Sequence, residues 1–150
     1  PITDDLFVGL ENDIIAVFEK IGSDFAKHLV NKAADYDLET LVSDVFDILA
    51  QYAVGCLFIE KNQFDFKFLA EHYRAYRKKF LETMTQYLTA FVESGKVRPL
   101  EQLELTTTLI IEILSWWAMD IRYTSFETQD IPPELAKKIC IDNIISAYKS

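Results

Sequence analysis

Apolar side chains recur every three to four residues along most of the chain, a spacing typical of amphipathic helices. The first such series begins after Thr3 and continues to about Ala33, and a second begins after Asp37 and is interrupted at Gly55. A third and longer series spans residues 65–94. At 1.5 Å of rise per residue it predicts a helix about 45 Å long. Thr3 and Asp37 are predicted N-caps, since their side chains can accept a hydrogen bond from a helix N-terminus.

The segment from Leu105 to Tyr123 is apolar almost all round. At about 100° per residue, its large apolar side chains cover an arc of roughly 220°, about twice what an ordinary surface helix needs. Gly95 and Pro99 separate this segment from the long helix and predict a sharp stop and restart. A last helix is predicted from Pro133 to about Tyr148. The all-round segment needs cover on two sides, so we expect one side to meet a second copy of the chain.

Composition supports a single packed domain over residues 1–150. Half of the residues are hydrophobic, whereas Gly and Pro number only 4 each, which favours an all-α bundle of about six helices. Cys56 and Cys140 are far apart in the sequence and are predicted to be buried thiols. No apolar run reaches the length of a membrane span and no leader is recognisable, so a cytoplasmic protein without membrane contact is expected.

Charge argues against direct DNA binding by this chain. The net charge is −9, and residues 1–50 carry 11 acidic against 3 basic side chains. A phosphate backbone repels such a surface, because nucleic-acid affinity depends on Lys and Arg. The one basic cluster spans residues 72–79. Its residues Arg74, Arg77 and Lys78 share a helical face opposite the aromatic side chains, which predicts a solvated basic stripe.

Signatures of catalysis are missing from the sequence. It has no glycine-rich phosphate loop and no Gly-x-Ser-x-Gly elbow. Neither histidine belongs to a Glu-x-x-His pair, and potential zinc ligands are too widely spaced. We therefore expect no metal, no cofactor and no enzymatic activity. A helical-bundle enzyme with an unrecognised cofactor is the least favoured alternative.

Two short motifs resemble those of TetR-family transcriptional regulators. The sequence Thr-Asp-Asp-Leu-Phe at residues 3–7 resembles the start of the helix that follows the DNA-binding head in that family. The sequence Gly-Lys-Val-Arg-Pro at residues 95–99 resembles a Gly-x-x-Arg-Pro passage. In the family, this passage lies between the helix that walls the effector pocket and the first of two dimerising helices. The chain opens at Pro1 without the family's helix-turn-helix head, so we expect it to be the regulatory half and to meet DNA only through that head.

The resemblance implies a cavity for a small apolar or aromatic effector. Without it, aromatic stripes are more typical of ordinary core, and a lone His28 on an apolar face more typical of a hydrogen-bonded core residue. Trp116 and Trp117 lie about 100° apart around their helix, so only one of them is expected to face a cavity. The predicted ligand-binding residues are Phe18, Ile21, His28, Tyr73, Tyr76, Phe80, Trp116 and Trp117.

The resemblance also implies a homodimer in which the last two helices of each copy form an intersubunit four-helix bundle. The predicted interface residues are Ile110, Leu114, Ile139, Asn143, Ile144 and Ala147. The expected function is thus effector sensing and dimerisation in a TetR-like regulator, with the first helix transmitting effector binding to the head. The alternative is a stand-alone helical carrier of small molecules or a protein-interaction module.

Overall fold

A computed structural model describes residues 4–31, 34–127 and 130–150, and every regular element in these ranges is helical. The predicted all-α bundle is therefore confirmed. The helices are α1 (Asp4–Val30), α2 (Leu38–Gln51), α3 (Ala53–Lys61), α4 (Lys67–Glu93), α5 (Leu103–Ser115), a π-helical segment (Trp116–Asp120), α6 (Ile121–Tyr123) and α7 (Pro133–Tyr148). Residues 103–123 form one continuous rod, because the backbone stays right-handed helical at both ends of the π-helical segment.

Helix α4 lies at the centre of the bundle. α1 packs along one of its sides and α5 along another, while α2 packs against α5, the π-helical segment and α7. The predicted stripe of α4 is the side that these neighbours cover. Its buried members are Leu69, Tyr73, Phe80, Met84, Tyr87 and Phe91, and Tyr76 is partly buried.

The helix boundaries follow local chemistry, with one exception. Asp37 is the N-cap of α2, and its carboxylate accepts hydrogen bonds from the Thr40 amide at 2.9 Å and the Thr40 hydroxyl at 2.8 Å. The expected break at Gly55 is wrong, because the backbone leaves the helical region at Tyr52 and Gly55 lies inside α3. Thr3 and the predicted helix end at Ala33 fall outside the described residues.

The join after α4 is a Schellman motif. Gly95 has a φ of +77°, and the Lys96 amide donates to the carbonyl of Phe91 at 2.8 Å. Arg98 then ties the join to the end of α7, where its amide donates to the Tyr148 carbonyl and its Nε to the Ala147 carbonyl. These bonds satisfy carbonyls that a helix end leaves free. The predicted stop at Gly95 is confirmed.

The all-round apolar segment is covered mainly within the chain. α4 lies against one side of it, and α2 and α7 lie against others. One face of the segment stays uncovered, with Leu105, Leu109 and Trp116 exposed, so the expectation that a second copy covers one side stays a prediction. Cys56 and Cys140 are buried free thiols, as predicted, and burial raises the pKa of the Cys140 thiol to about 11.

Among the described residues, no single helix is long and apolar enough to cross a membrane. α2 and α3 together reach the required length and composition, but they are bent by 65° at their junction.

Candidate ligand-binding site

Helix α1 rests mainly on α4, and aromatic rings make the contact. The ring of Phe18 stacks on that of Tyr76, with centroids 4.8 Å apart and 12° between the planes. Two helical turns further along α1, the ring of Phe25 stacks on that of Phe80, with centroids 4.2 Å apart and 5° between the planes. No other described helix contacts α1 as extensively as α4 does. α1 is consequently held along one narrow line and leaves space on either side of it.

The larger of these spaces, the α1–α4 groove, has a volume of about 430 Å³. Small-molecule sites typically measure about 300–1,000 Å³ and are mostly apolar with a few polar groups. The groove fits this description, since aromatic rings form its floor and polar side chains its edge. Its floor includes Phe18, Phe25, Tyr76 and Phe80, and its polar side chains are Glu19, Ser23, His72, Lys79 and Thr83.

Three predicted ligand residues meet in this groove: Phe18, Tyr76 and Phe80. The sequence prediction missed Gly22 and Ala26 of α1, which also line it. The available signal was their spacing of four residues, which places two small side chains on one face and leaves room beside the aromatic rings.

A second space, the α1–α3 groove, lies on the other side of α1 and measures about 320 Å³. Ile21, a predicted ligand residue, lines this groove and not the first one. The lining is almost wholly aliphatic and aromatic, and Phe18 is shared by both grooves. The residues that define it are Ile14, Val17 and Ile21 of α1, Val54 and Phe58 of α3, and Leu69 of α4.

His28 lies away from both grooves. Its ring stacks on that of Tyr36, with centroids 4.1 Å apart and 14° between the planes. The Tyr36 hydroxyl donates to the Asp44 carboxylate at 2.7 Å, and burial raises the pKa of this tyrosine. His28 thus joins α1 to the segment before α2, and its predicted ligand role has no support from these two grooves.

Tyr73 also serves a structural contact. Its hydroxyl donates to Oε2 of Glu60 at 2.7 Å, which ties α4 to α3, and burial raises its pKa above the ordinary range. Its ring centroid lies 6.0 Å from that of Phe18, so it supports the floor from behind. Among the described residues, by contrast, the hydroxyl of Tyr76 has no hydrogen-bond partner. The groups that act electrostatically on this hydroxyl are Cys56, Arg77 and Tyr52, none of which lines the α1–α4 groove.

The predicted solvated basic stripe is wrong at Arg77. Its guanidinium reaches α5, with Nη1 3.3 Å from the Ser115 hydroxyl and Nη2 3.3 Å from Oε1 of Glu112. The reason is that α5 covers this face of α4. Arg74 and Lys78 are exposed, and Arg74 donates to Oε1 of Gln63 at 2.8 Å.

Neither tryptophan lines the two grooves. Both lie in the π-helical segment, where Trp116 is 46% exposed and Trp117 packs partly buried against the core. Their predicted divergence is observed, but the expectation that one of them faces the cavity is wrong for these grooves.

The predicted dimer residues divide into two groups. Ile110, Leu114 and Ile144 are buried in the chain's own core and offer no surface to a second copy. Ile139, Asn143 and Ala147 are exposed. The apolar side chains that α5, the π-helical segment and α7 expose are Leu105, Leu109, Trp116, Leu135 and Ile139. A dimer through these helices must use this outer set.

The chemistry of the site is that of binding. Stacked rings and aliphatic side chains accept apolar groups, and the Ser23 hydroxyl and the Lys79 ammonium group can donate hydrogen bonds to a bound molecule. The described residues contain no group of three or more His, Cys, Asp or Glu side chains placed to hold a metal ion. No model of a known protein family matches the chain, and no curated protein matches it significantly.

Proposed function

We propose that this chain is the effector-binding and dimerisation domain of a TetR-like transcriptional regulator, and that its effector is a small, largely apolar or aromatic molecule. The observation that carries the proposal is the α1–α4 groove, whose aromatic floor is built by both helices. Fully burying one large apolar group contributes about 1.5–3 kcal/mol, so two or three such contacts support roughly micromolar binding after the costs of association.

Polar side chains at the edge of the groove supply its hydrogen-bonding groups. The Ser23 hydroxyl and the Lys79 ammonium group both line the groove and can donate to a bound molecule. The Thr83 hydroxyl is less available, because it already donates to the Lys79 carbonyl at 3.0 Å. A bound molecule therefore meets apolar faces over most of its surface and a few polar groups at the edge, which orient it.

Signal transmission depends on how lightly α1 is held. A molecule in the groove contacts α1 on the line of its two ring stacks, so it tilts the helix against α4. In a regulator with a helix-turn-helix head before α1, this tilt changes the separation of the two heads of a dimer. Paired heads read half-sites about 34 Å apart, so a small change in separation alters DNA affinity.

Dimerisation would use the outer apolar set on α5, the π-helical segment and α7.

The sequence that encodes the residues before Pro1 tests the regulatory part of the proposal. A helix-turn-helix there supports the regulator. A start codon immediately before Pro1 contradicts it and supports the alternative of a stand-alone helical carrier, for which the same groove would serve. With the head present, effector titrations with and without operator DNA should differ by about 5- to 150-fold in affinity, since coupling between two sites is reciprocal.

A binding screen tests the groove itself. Titration calorimetry with a library of hydrophobic compounds should give hits that Tyr76→Ala weakens, because this variant removes an aromatic face from the groove. Trp116→Phe is the matched control, since Trp116 lies outside both grooves. If every hit keeps its affinity in Tyr76→Ala, the molecule does not bind here.

A further inference from the structure

One aromatic side chain is shared by the two grooves that flank α1. Phe18 lines both of them, and its ring stacks on that of Tyr76. Phe18 is partly buried, and it packs against the core and against Tyr73. A joint site therefore requires that this side chain rotate about χ1 and open a connection between the two spaces under α1.

The two grooves differ in chemistry. The α1–α3 groove is bordered almost entirely by aliphatic and aromatic side chains, with Gln51 as its one side-chain amide. The α1–α4 groove has polar side chains at its edge as well as an aromatic floor. An occupant that fits both is apolar at one end and polar at the other. A passage between the two grooves would run beneath α1, and such a passage admits a single chain more readily than a ring system.

Charge at the polar end favours an uncharged head group. Glu19 and Lys79 both line the α1–α4 groove, and neither takes part in an ion pair among the described residues. A carboxylate head would be attracted by Lys79 and repelled by Glu19. A quaternary ammonium head would be attracted by Glu19 and repelled by Lys79. A hydroxyl or amide can accept a hydrogen bond from Lys79 and donate one to Glu19.

We infer that the two grooves form one elongated site for a single-chain amphiphile with an uncharged polar head. The head lies in the α1–α4 groove near Glu19 and Lys79, and the alkyl tail passes Phe18 into the α1–α3 groove. This inference rests on the proposed function and names the class of effector. Each methylene group that enters the second groove should tighten binding about fourfold.

Three glycines allow a matched test. A Cβ at Gly22 in the α1–α4 groove, or at Gly55 in the α1–α3 groove, meets no atom within 4 Å. We therefore expect leucine at either position to extend into the groove that the glycine lines, and leucine favours a helix more than glycine does. Gly9→Leu is the control, because Gly9 lies on α1 with the same open space and lines neither groove.

The experiment is titration calorimetry of the primary alcohols hexanol, octanol and decanol into the wild type and the three variants. In the wild type and in Gly9→Leu, affinity should rise about two-hundredfold from hexanol to decanol. Gly22→Leu should weaken the binding of all three alcohols. Gly55→Leu should weaken decanol most and hexanol least, which flattens the dependence on chain length to roughly tenfold or less.

The outcomes separate this inference from the function it rests on. If Gly22→Leu weakens binding but Gly55→Leu behaves like Gly9→Leu, the elongated site is wrong and the α1–α4 groove remains the binding site. If Gly22→Leu has no effect, the proposed groove is wrong as well. The inference is also overturned if none of the alcohols binds, or if decanoate or decyltrimethylammonium binds the wild type more tightly than decanol.

Discussion

The rings of Phe25 and Phe80 lie 4.2 Å apart and almost parallel, and the Tyr87 hydroxyl donates to the carbonyl of the same Phe25. Phe25 is therefore the residue through which α1 is most firmly held on α4. Its ring is almost completely buried, whereas most other α1 side chains in the range 9–30 are exposed or partly exposed. The stability of α1 on the bundle should depend strongly on this one side chain.

Phe25→Ala should lower the free energy of unfolding by about 3–5 kcal/mol, because it deletes a buried ring and leaves a cavity beside Phe80. The measurement is urea denaturation followed by circular dichroism. Val30→Ala on the same helix is the control. Val30 is 77% exposed, so this change should stay within about 0.5 kcal/mol. Equal effects of the two substitutions would contradict the assignment of Phe25 as the main contact.

The Asp37 cap predicts a dependence of stability on pH. The hydrogen bond from the Thr40 amide is the main cause that lowers the pKa of Asp37 below its ordinary value. The cap's contribution is therefore present above the carboxyl's unfolded-state pKa and is lost as pH falls through the lowered folded-state pKa. At neutral pH, Asp37→Ala should cost about 1 kcal/mol of unfolding free energy.

Asp37→Asn is the matched variant, since asparagine caps a helix about as well but does not titrate in this range. The difference in unfolding free energy between Asp37→Ala and the wild type should shrink as the pH is lowered from 7 towards and below the usual aspartate pKa of about 3.9. The difference in unfolding free energy between Asp37→Ala and Asp37→Asn should not change with pH. A wild-type difference independent of pH would show that the carboxylate does not act as the cap.

Arg77 should matter more for stability than its neighbour Arg74. Arg77→Ala removes the hydrogen bonds to Ser115 and Glu112 and leaves the buried Ser115 hydroxyl without its donor, at a cost of about 1–2 kcal/mol. Arg74→Ala removes one exposed hydrogen bond to Gln63 and should cost about 0.5 kcal/mol or less. Chemical denaturation of both variants decides between this contact and a solvated stripe, for which the two losses would be equal.

A dimer should respond to the outer apolar set and not to the buried residues. Leu109→Asp combined with Ile139→Glu places charges on two exposed side chains, so the protein should stay folded and become a monomer. Leu114→Asp places a charge in the core and should unfold the chain, since an unpaired buried charge costs several kcal/mol. Light scattering measures the molecular mass in solution, and circular dichroism shows whether the variant is folded. A wild-type monomer at micromolar concentration, or a dimer unchanged by the double substitution, would refute this interface.

The sequence predicted those features that depend on neighbours along the chain. The Asp37 cap, the stop at Gly95 and the inward stripe of α4 all follow from local spacing and backbone chemistry. It could not predict which helices cover which faces. Arg77 lies against α5, and Leu114 is buried by its own chain, because α4, α2 and α7 surround residues 103–123.

The candidate site was predictable only in part for the same reason. Phe18, Tyr76 and Phe80 share the groove because their helical stripes face each other, and spacing within each helix was enough to select them. His28 and Ile21 follow the same stripe of α1, yet they contact different neighbours. The line along which α1 crosses α4 decides this, and one-dimensional periodicity does not contain it.

The central claim is that a small apolar molecule binds between α1 and α4, and methyl NMR tests it most directly. Ala26 and Ala75 line the α1–α4 groove from its two helices, whereas Ala136 of α7 lines neither groove. With alanine methyl groups labelled and octanol as the probe, Ala26 and Ala75 should shift together with one dissociation constant, and Gly22→Leu should abolish both shifts. Shifts at Ala136 with Ala26 and Ala75 unmoved would contradict the account.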